Sequence, residues 1–109
     1  MAFPITPNNS VRSMTVENDG PDNVLITVKY DSRYGTGATV SKAKLEQVLM
    51  SKKAVIEIGG PTLLRIIRKI GDGRRIPTTL WFYFKPVENS YNLCVICEQD
   101  LKDALKACS

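Results

Sequence analysis

Residues 78–85 read Thr-Thr-Leu-Trp-Phe-Tyr-Phe-Lys, and they contain the strongest strand signal in the chain. Aromatic and β-branched side chains suit the half-buried surface of a pleated sheet, so the stretch predicts a β-strand. Successive side chains of a strand point to opposite faces, which divides the stretch into two rows. The apolar row, expected in the core, is Leu80, Phe82 and Phe84, and the second row is Trp81, Tyr83 and Lys85.

Two hairpins are predicted from the neighbouring sequence. After the aromatic strand, residues 86–90 contain turn-forming residues and residues 91–98 are again apolar, which predicts the partner strand of a hairpin. Near the N-terminus, residues 11–17 and 24–30 flank the sequence Asn-Asp-Gly-Pro-Asp-Asn, which is typical of a turn between two strands. Strands that come in hairpins favour a mostly antiparallel sheet.

Two helices and one further strand follow from local patterns. Ser41 can cap a helix that runs to about Lys52, because its hydroxyl can accept a hydrogen bond from a free amide of the first turn. Residues 100–108 have their apolar side chains at helical spacing and predict a C-terminal amphipathic helix. Residues 54–58 form a short β-rich run before two glycines.

A third helix is predicted over residues 61–70. Proline suits its first turn and Gly71 suits the position just past its end. On a helical wheel its leucines and isoleucines fill one arc, and the opposite arc carries Arg65, Arg68 and Lys69. A strand is the alternative for this segment, because isoleucine is not a strong helix former.

These elements predict one α+β domain over residues 1–109, in the order β-β-α-β-α-β-β-α, with no internal repeat visible. The expected architecture is a small, mostly antiparallel sheet with the helices packed on one face. Residues 1–10 contain two prolines and two asparagines without periodicity, and we expect an extended N-terminal arm there. At 109 residues, the chain has room for one modest core.

The composition points to a cytoplasmic location in a reducing compartment. No run of about 18 apolar residues exists, so no membrane span is expected. Residues 1–10 lack the basic and apolar regions of a secretory signal. The three cysteines, Cys94, Cys97 and Cys108, are odd in number and lie at one end, which argues against a disulfide framework.

Catalytic and metal chemistry find little support in the sequence. The chain has no histidine, which excludes imidazole-based triads and histidine-ligated metals. Residues 94–97 spell C-x-x-C, but a zinc site needs four ligands and a strand points positions three apart to opposite faces. We therefore expect buried thiols, no cofactor, no metal and no enzymatic activity.

A glycine-rich segment at residues 33–41 precedes the predicted helix at Ser41. Its amides could hold a phosphate, with Arg33 beside them. It lacks the Gly-Lys-Ser/Thr ending of a P-loop, and the alternative is a flexible connection that uses glycine for its dihedral freedom.

The positive charge of the chain is confined to its middle. Residues 41–80 carry nine basic and three acidic side chains, giving +6, whereas residues 1–40 and 81–109 each give −1. This asymmetry indicates a polyanionic partner, although a charged face can also be only a solvated surface. The predicted phosphate contacts are Arg65, Arg68, Lys69, Arg74 and Arg75, helped by Lys42, Lys44 and Arg33.

The row of Trp81 and Tyr83 completes the functional prediction. If exposed, these rings could stack bases, as in single-strand binders. The alternatives are burial on both sides of a central strand or a dimer interface. The predicted function is nucleic-acid binding, DNA or RNA, through backbone and single-strand contacts rather than base-specific readout. The other hypothesis is an interaction module, such as an inhibitor, adaptor or assembly subunit, that binds an acidic partner or itself. A homo-oligomer is expected in either case, and a small phage or viral accessory protein fits both hypotheses.

Overall fold

A computed structural model describes residues 2–9, 13–30, 35–58, 64–72, 74–84 and 93–108. In this part of the chain it contains two four-stranded antiparallel sheets and two helices, so the fold is a small mixed α+β domain. The first sheet consists of β1 (Ala2–Ile5), β2 (Ser13–Asp19), β3 (Asn23–Lys29) and β4 (Gly35–Ser41), and it is followed by α1 (Lys42–Met50). The second sheet consists of β5 (Val55–Ile58), β6 (Leu64–Lys69), β7 (Thr79–Tyr83) and β8 (Leu93–Cys97), and it is followed by α2 (Glu98–Ala107).

The two sheets repeat one arrangement, four strands in chain order with a helix that begins directly after the fourth strand. The first residue of each helix is held in the same way. The Lys42 amide donates to the Asp22 carbonyl just before β3, and the Glu98 amide donates to the Thr78 carbonyl just before β7, both at 3.0 Å. A strand-and-helix unit therefore occurs twice, a repeat that is not visible in the sequence.

The inner faces of both sheets share one hydrophobic core. Alternate residues are buried along most of the strands, as in the rows Val24, Ile26, Val28 of β3 and Leu64, Ile66 of β6. Each such side chain contributes about 1.5–3 kcal/mol when fully buried. The sheets meet where the Cys94 Sγ of β8 lies 3.8 Å from the Met14 Sδ of β2. Both helices add to the same core through Leu45, Val48, Leu101, Ala104 and Leu105.

Several predicted elements are present. The hairpins β2–β3 and β7–β8 lie within a few residues of their predicted positions. Ser41 is the N-cap of α1, and its hydroxyl accepts a hydrogen bond from the Lys44 amide at 3.3 Å. The α+β class is thereby confirmed. The single sheet with helices on one face, and the predicted order of elements, do not match the structure.

The helix predicted over residues 61–70 is wrong, because residues 64–69 form the strand β6. Leu64, Ile66 and Arg68 point inward, and Arg65, Ile67 and Lys69 point outward. The β-branched isoleucines fit this strand better than a helix. The predicted basic helix face therefore does not exist, and its three cations are divided between the two sides of a sheet.

The described part of the glycine-rich segment, Gly35–Ser41, is a strand and not a loop, because it pairs with β3 along its whole length. A Cβ atom at Gly35 would lie 3.1 Å from the Val28 carbonyl oxygen, and one at Gly37 would lie 3.3 Å from that of Ile26. The glycines thus permit a close approach of the two backbones.

The N-terminal segment joins the two sheets. Ala2–Ile5 pairs with β2, and the following residues reach β8. The Asn8 amide donates to the Val95 carbonyl at 2.6 Å. The Asn9 side chain donates to the Leu93 carbonyl at 2.9 Å and accepts from the Val95 amide at 3.3 Å. The predicted extended arm is therefore partly a strand and partly a cover for the edge of β8. Among the described residues, neither helix has the length and apolar character needed to cross a bilayer.

Candidate nucleic-acid interface

The outer face of the second sheet combines aromatic rings and cations. Alternation along each strand places these side chains on the side opposite the core, as the buried Leu80 and Phe82 and the half-buried Trp81 and Tyr83 show for β7. We call this surface the aromatic face; its members on β6, β7 and β8 are Arg65, Ile67, Lys69, Thr79, Trp81, Tyr83, Leu93, Val95 and Cys97.

Trp81 lies at the centre of the aromatic face. Its neighbours in the strand register are Ile67 and Val95. Its indole Nε1 donates to the Thr79 hydroxyl at 3.1 Å, which fixes one edge of the ring. The Lys69 Nζ lies 3.7 Å from the ring centroid, a cation–π contact. The ring is therefore held in place and covered by an ammonium group.

Tyr83 lies two residues further along β7, between Arg65 and Leu93 in the register. The Arg65 Nε lies 3.1 Å from the Glu57 Oε1 of β5, and the two side chains are 26% and 51% exposed. Ion pairs at such accessible positions contribute about 0–1 kcal/mol. This ion pair by itself therefore opposes the approach of another anion only weakly.

Arg74 and Arg75 are exposed on the turn between β6 and β7. The Asp72 carboxylate fixes this turn, since its Oδ1 accepts the amides of Arg74, Arg75 and Ile76 at 2.8, 2.8 and 2.9 Å. These backbone hydrogen bonds, that of Ile76 first, lower the pKa of Asp72. The backbone amides of both arginines are therefore held by one carboxylate.

Arg68 lies inside the protein and not on the aromatic face. It is 8% exposed. Its Nε is 2.9 Å from the Glu98 Oε2, and the two groups form an ion pair whose angles are not those of a hydrogen bond. Its terminal nitrogens donate to the carbonyls of Val48 and Ser51 at the C-terminal end of α1. A cation suits this end of a helix, so Arg68 connects β6, α1 and α2 and is not placed to contact a phosphate.

Two further predicted cations, Lys42 and Lys44, belong to α1 and not to the aromatic face. The Lys42 Nζ donates to the Cys108 carbonyl at 3.0 Å, which links the start of α1 to the end of α2. Lys44 is exposed on α1. Arg33 is outside the described residues. The structure thus brings together Arg65, Lys69, Trp81 and Tyr83.

The cysteines of the C-x-x-C sequence point to opposite sides of β8. Cys94 is buried and Cys97 is half-buried on the outer side. Burial raises the pKa of the Cys94 thiol to about 12. The third cysteine, Cys108, lies elsewhere, with its Sγ 3.6 Å from the Val16 carbonyl. Within the described ranges, no three side chains of the types that bind metals come together.

The outer face of the first sheet differs at the equivalent positions. Asn23 begins β3 and pairs with Asp19, as Thr79 begins β7 and pairs with Lys69. Counting from these pairs, Leu25 corresponds to Trp81, and Thr27 corresponds to Tyr83. Where the second sheet has Trp81, Tyr83 and Lys69, the first sheet has Leu25, Thr27 and Asp19. The repeat supplies a matched control surface within the same molecule.

The sequence predicted the row of Trp81 and Tyr83 but missed the lysine above the indole. That contact depends on the register between β6 and β7, and the helix prediction for residues 61–70 concealed it. Comparison with protein-family models, with curated proteins and with solved structures gives no significant match.

Proposed function

We propose that this protein binds single-stranded nucleic acid on the aromatic face and acts by binding, not by catalysis. Trp81 and Tyr83 stack on bases, and Lys69 and Arg65 contact phosphates. The observation that carries the proposal is the combination of two half-buried rings and two cations on one side of one sheet. Aromatic platforms beside cations are the usual means of binding single strands.

The spacing of the rings suits a single strand. A β-strand rises about 3.4 Å per residue, so residues two apart carry their rings about 7 Å apart. Bases in a duplex rise about 3.4 Å, which is half that distance. Bases on Trp81 and Tyr83 would therefore be separated from each other, which a single strand allows and a duplex does not.

The width of the sheet also disfavours a duplex. Adjacent strands lie about 4.8 Å apart, so four strands span about 14 Å before side chains are counted. The major groove is about 12 Å wide and admits a helix or a two-stranded ribbon. The second sheet is therefore too broad to enter it flat.

Lys69 covers Trp81 in the free protein, and a base must displace it. An exposed cation–π contact contributes about 0.5–1 kcal/mol, and a base stacked on an aromatic side chain contributes about 1–3 kcal/mol. Displacement is favourable on these values. The released ammonium is then next to the backbone of the bound strand and pairs with a phosphate.

The test compares Trp81→Ala with Leu25→Ala, its counterpart on the first sheet. Affinity for a labelled single-stranded oligonucleotide is measured by fluorescence anisotropy at several salt concentrations. We expect Trp81→Ala to weaken binding roughly 5- to 150-fold, from about 1–3 kcal/mol per stacked base, without changing the salt dependence. Leu25→Ala should bind as the unaltered protein does. No binding of DNA or RNA at low salt would end this proposal.

A second candidate is a protein contact through the same surface, including self-association. Val55 is 54% exposed and pairs with Ile67 in the register, so an apolar strip runs beside Trp81. Aromatic residues are enriched at protein interfaces. Light scattering over a range of concentrations distinguishes the two: under this candidate, Trp81→Ala dissociates an oligomer, whereas under nucleic-acid binding it leaves the mass unchanged.

A further inference from the structure

We infer that the bound strand has a second contact, a basic cleft between the turn after β6 and the start of α2. This cleft receives the sugar-phosphate backbone of the strand beyond the aromatic face, and the inference rests on the proposed function. The cleft has a volume of about 350 Å³, and its cationic side chains are Arg74, Arg75 and Lys102.

The cleft is electrostatically suited to phosphate. In the described part of the chain, no carboxylate forms an ion pair with Arg74 or Arg75. The carboxylate that lines the cleft, Glu98, is already paired, with Arg68 at 2.9 Å and with Lys102 at 3.2 Å. The two arginines thus have their charge available, and guanidinium groups match the oxygens of a phosphate in pairs.

The backbone at these arginines is held by hydrogen bonds in the free protein. Asp72 accepts three successive amides and closes the turn. Less backbone entropy is then lost when the arginines bind a phosphate, which favours affinity.

The cleft is continuous with the aromatic face. Cys97 lines the cleft and also ends the outer row of β8. It pairs with Thr79, which pairs in turn with Lys69 and holds the Trp81 indole. A strand that stacks on Tyr83 and Trp81 and passes Lys69 therefore arrives at Arg74 and Arg75.

The experiment measures the salt dependence of binding for two lengths of labelled oligothymidylate. One has about four nucleotides, enough for the rings, and the other about twelve, which spans both regions. The variant is Arg74→Ser with Arg75→Ser, and the control is Lys52→Ser with Lys53→Ser, an equal charge change at positions after α1. Thermal unfolding confirms that both variants are folded.

We expect the arginine variant to flatten the salt slope for the longer oligonucleotide by about 0.7 for each phosphate that is no longer neutralised, about 1.4 in all. The slope for the shorter one should not change, and the lysine control should change neither. Unchanged binding of the longer oligonucleotide to the arginine variant, or equal reductions for both lengths, would overturn the cleft while the aromatic face stands. If the unaltered protein binds neither length, the proposed function fails and the cleft fails with it.

Discussion

Replacing Arg68 by alanine should destabilise the protein severely, although it is one of three cations in a six-residue strand. The change removes the ion pair to Glu98 and both donors to the carbonyls at the end of α1. Removing one partner of a buried ion pair costs about 3–5 kcal/mol. Lys102 still faces Glu98 at 3.2 Å, which favours the lower part of this range.

A destabilisation of this size is easily measured. Domains of this size have a total stability of about 5–15 kcal/mol, so a large share disappears. A change of 1 kcal/mol shifts the Tm of a small domain by about 4–8 °C. We therefore expect the Tm of Arg68→Ala to fall by more than about 12 °C, and its midpoint in urea to fall accordingly.

Two controls are needed. One removes another arginine from the same strand, and the other changes the corresponding residue of the first sheet. Arg65→Ala removes a cation from the outer side of the same strand and should cost less, because the ion pair that it removes, with Glu57, contributes at most about 1 kcal/mol. Asn18→Ala changes the residue of β2 that corresponds to Arg68 in the repeat, and Asn18 is exposed. Equal destabilisation by Arg68→Ala and Arg65→Ala would refute the strand β6 with its inward arginine.

Three further predictions concern the core, the thiols and the turn. Ile66→Asp places a charge without a partner in the inner row of β6, and its Tm should fall at least as far as that of Arg68→Ala; a melting curve like that of Arg65→Ala would show that the row is misplaced. At pH 8, iodoacetamide should label Cys97 before Cys94, because burial raises the pKa of Cys94 to about 12 and leaves almost no thiolate there; mass spectrometry after proteolysis would contradict this if Cys94 reacted first. The lowered pKa of Asp72 means that its charged form stabilises the fold above the unfolded pKa of about 3.9, an effect that disappears as the pH falls through the folded value. The stability difference between the unaltered protein and Asp72→Asn should therefore shrink in acid, and a difference independent of pH would disprove the role of the charge.

Local patterns were sufficient for part of the fold. The strand β7 was predictable because residues 80–84 are an unbroken run of aromatic and large apolar side chains, which suit a sheet. The start of α1 was predictable because Ser41 precedes it and has the side chain that helix N-termini need. Both signals lie within a few neighbouring residues, which is the range that sequence periodicity describes.

The rest of the fold depends on contacts that are distant in the chain. In β6 the inward position 68 holds an arginine and the outward position 67 an isoleucine, so the alternation of a strand is hidden. Arg68 is tolerated inside only because α1 supplies carbonyls and α2 supplies Glu98. In β4, Gly35 and Gly37 resemble loop residues until β3 lies against them.

The candidate site was also predictable only in part. Alternation alone places Trp81 and Tyr83 on one side of β7. The position of Lys69 over the indole requires the register of β6 against β7, which pairs Lys69 with Thr79. No periodicity within β6 contains that information.

The most direct test of the aromatic face uses Trp81 itself, because it is the single tryptophan of the chain. Single-stranded oligothymidylate is titrated into the protein at low salt while the intrinsic tryptophan fluorescence is recorded. A base that stacks on the indole in place of Lys69 should quench the emission in a saturable manner, and added salt should reverse the quenching as binding weakens. Saturable binding by anisotropy with unchanged tryptophan emission would contradict the account, because the strand would then lie elsewhere on the molecule.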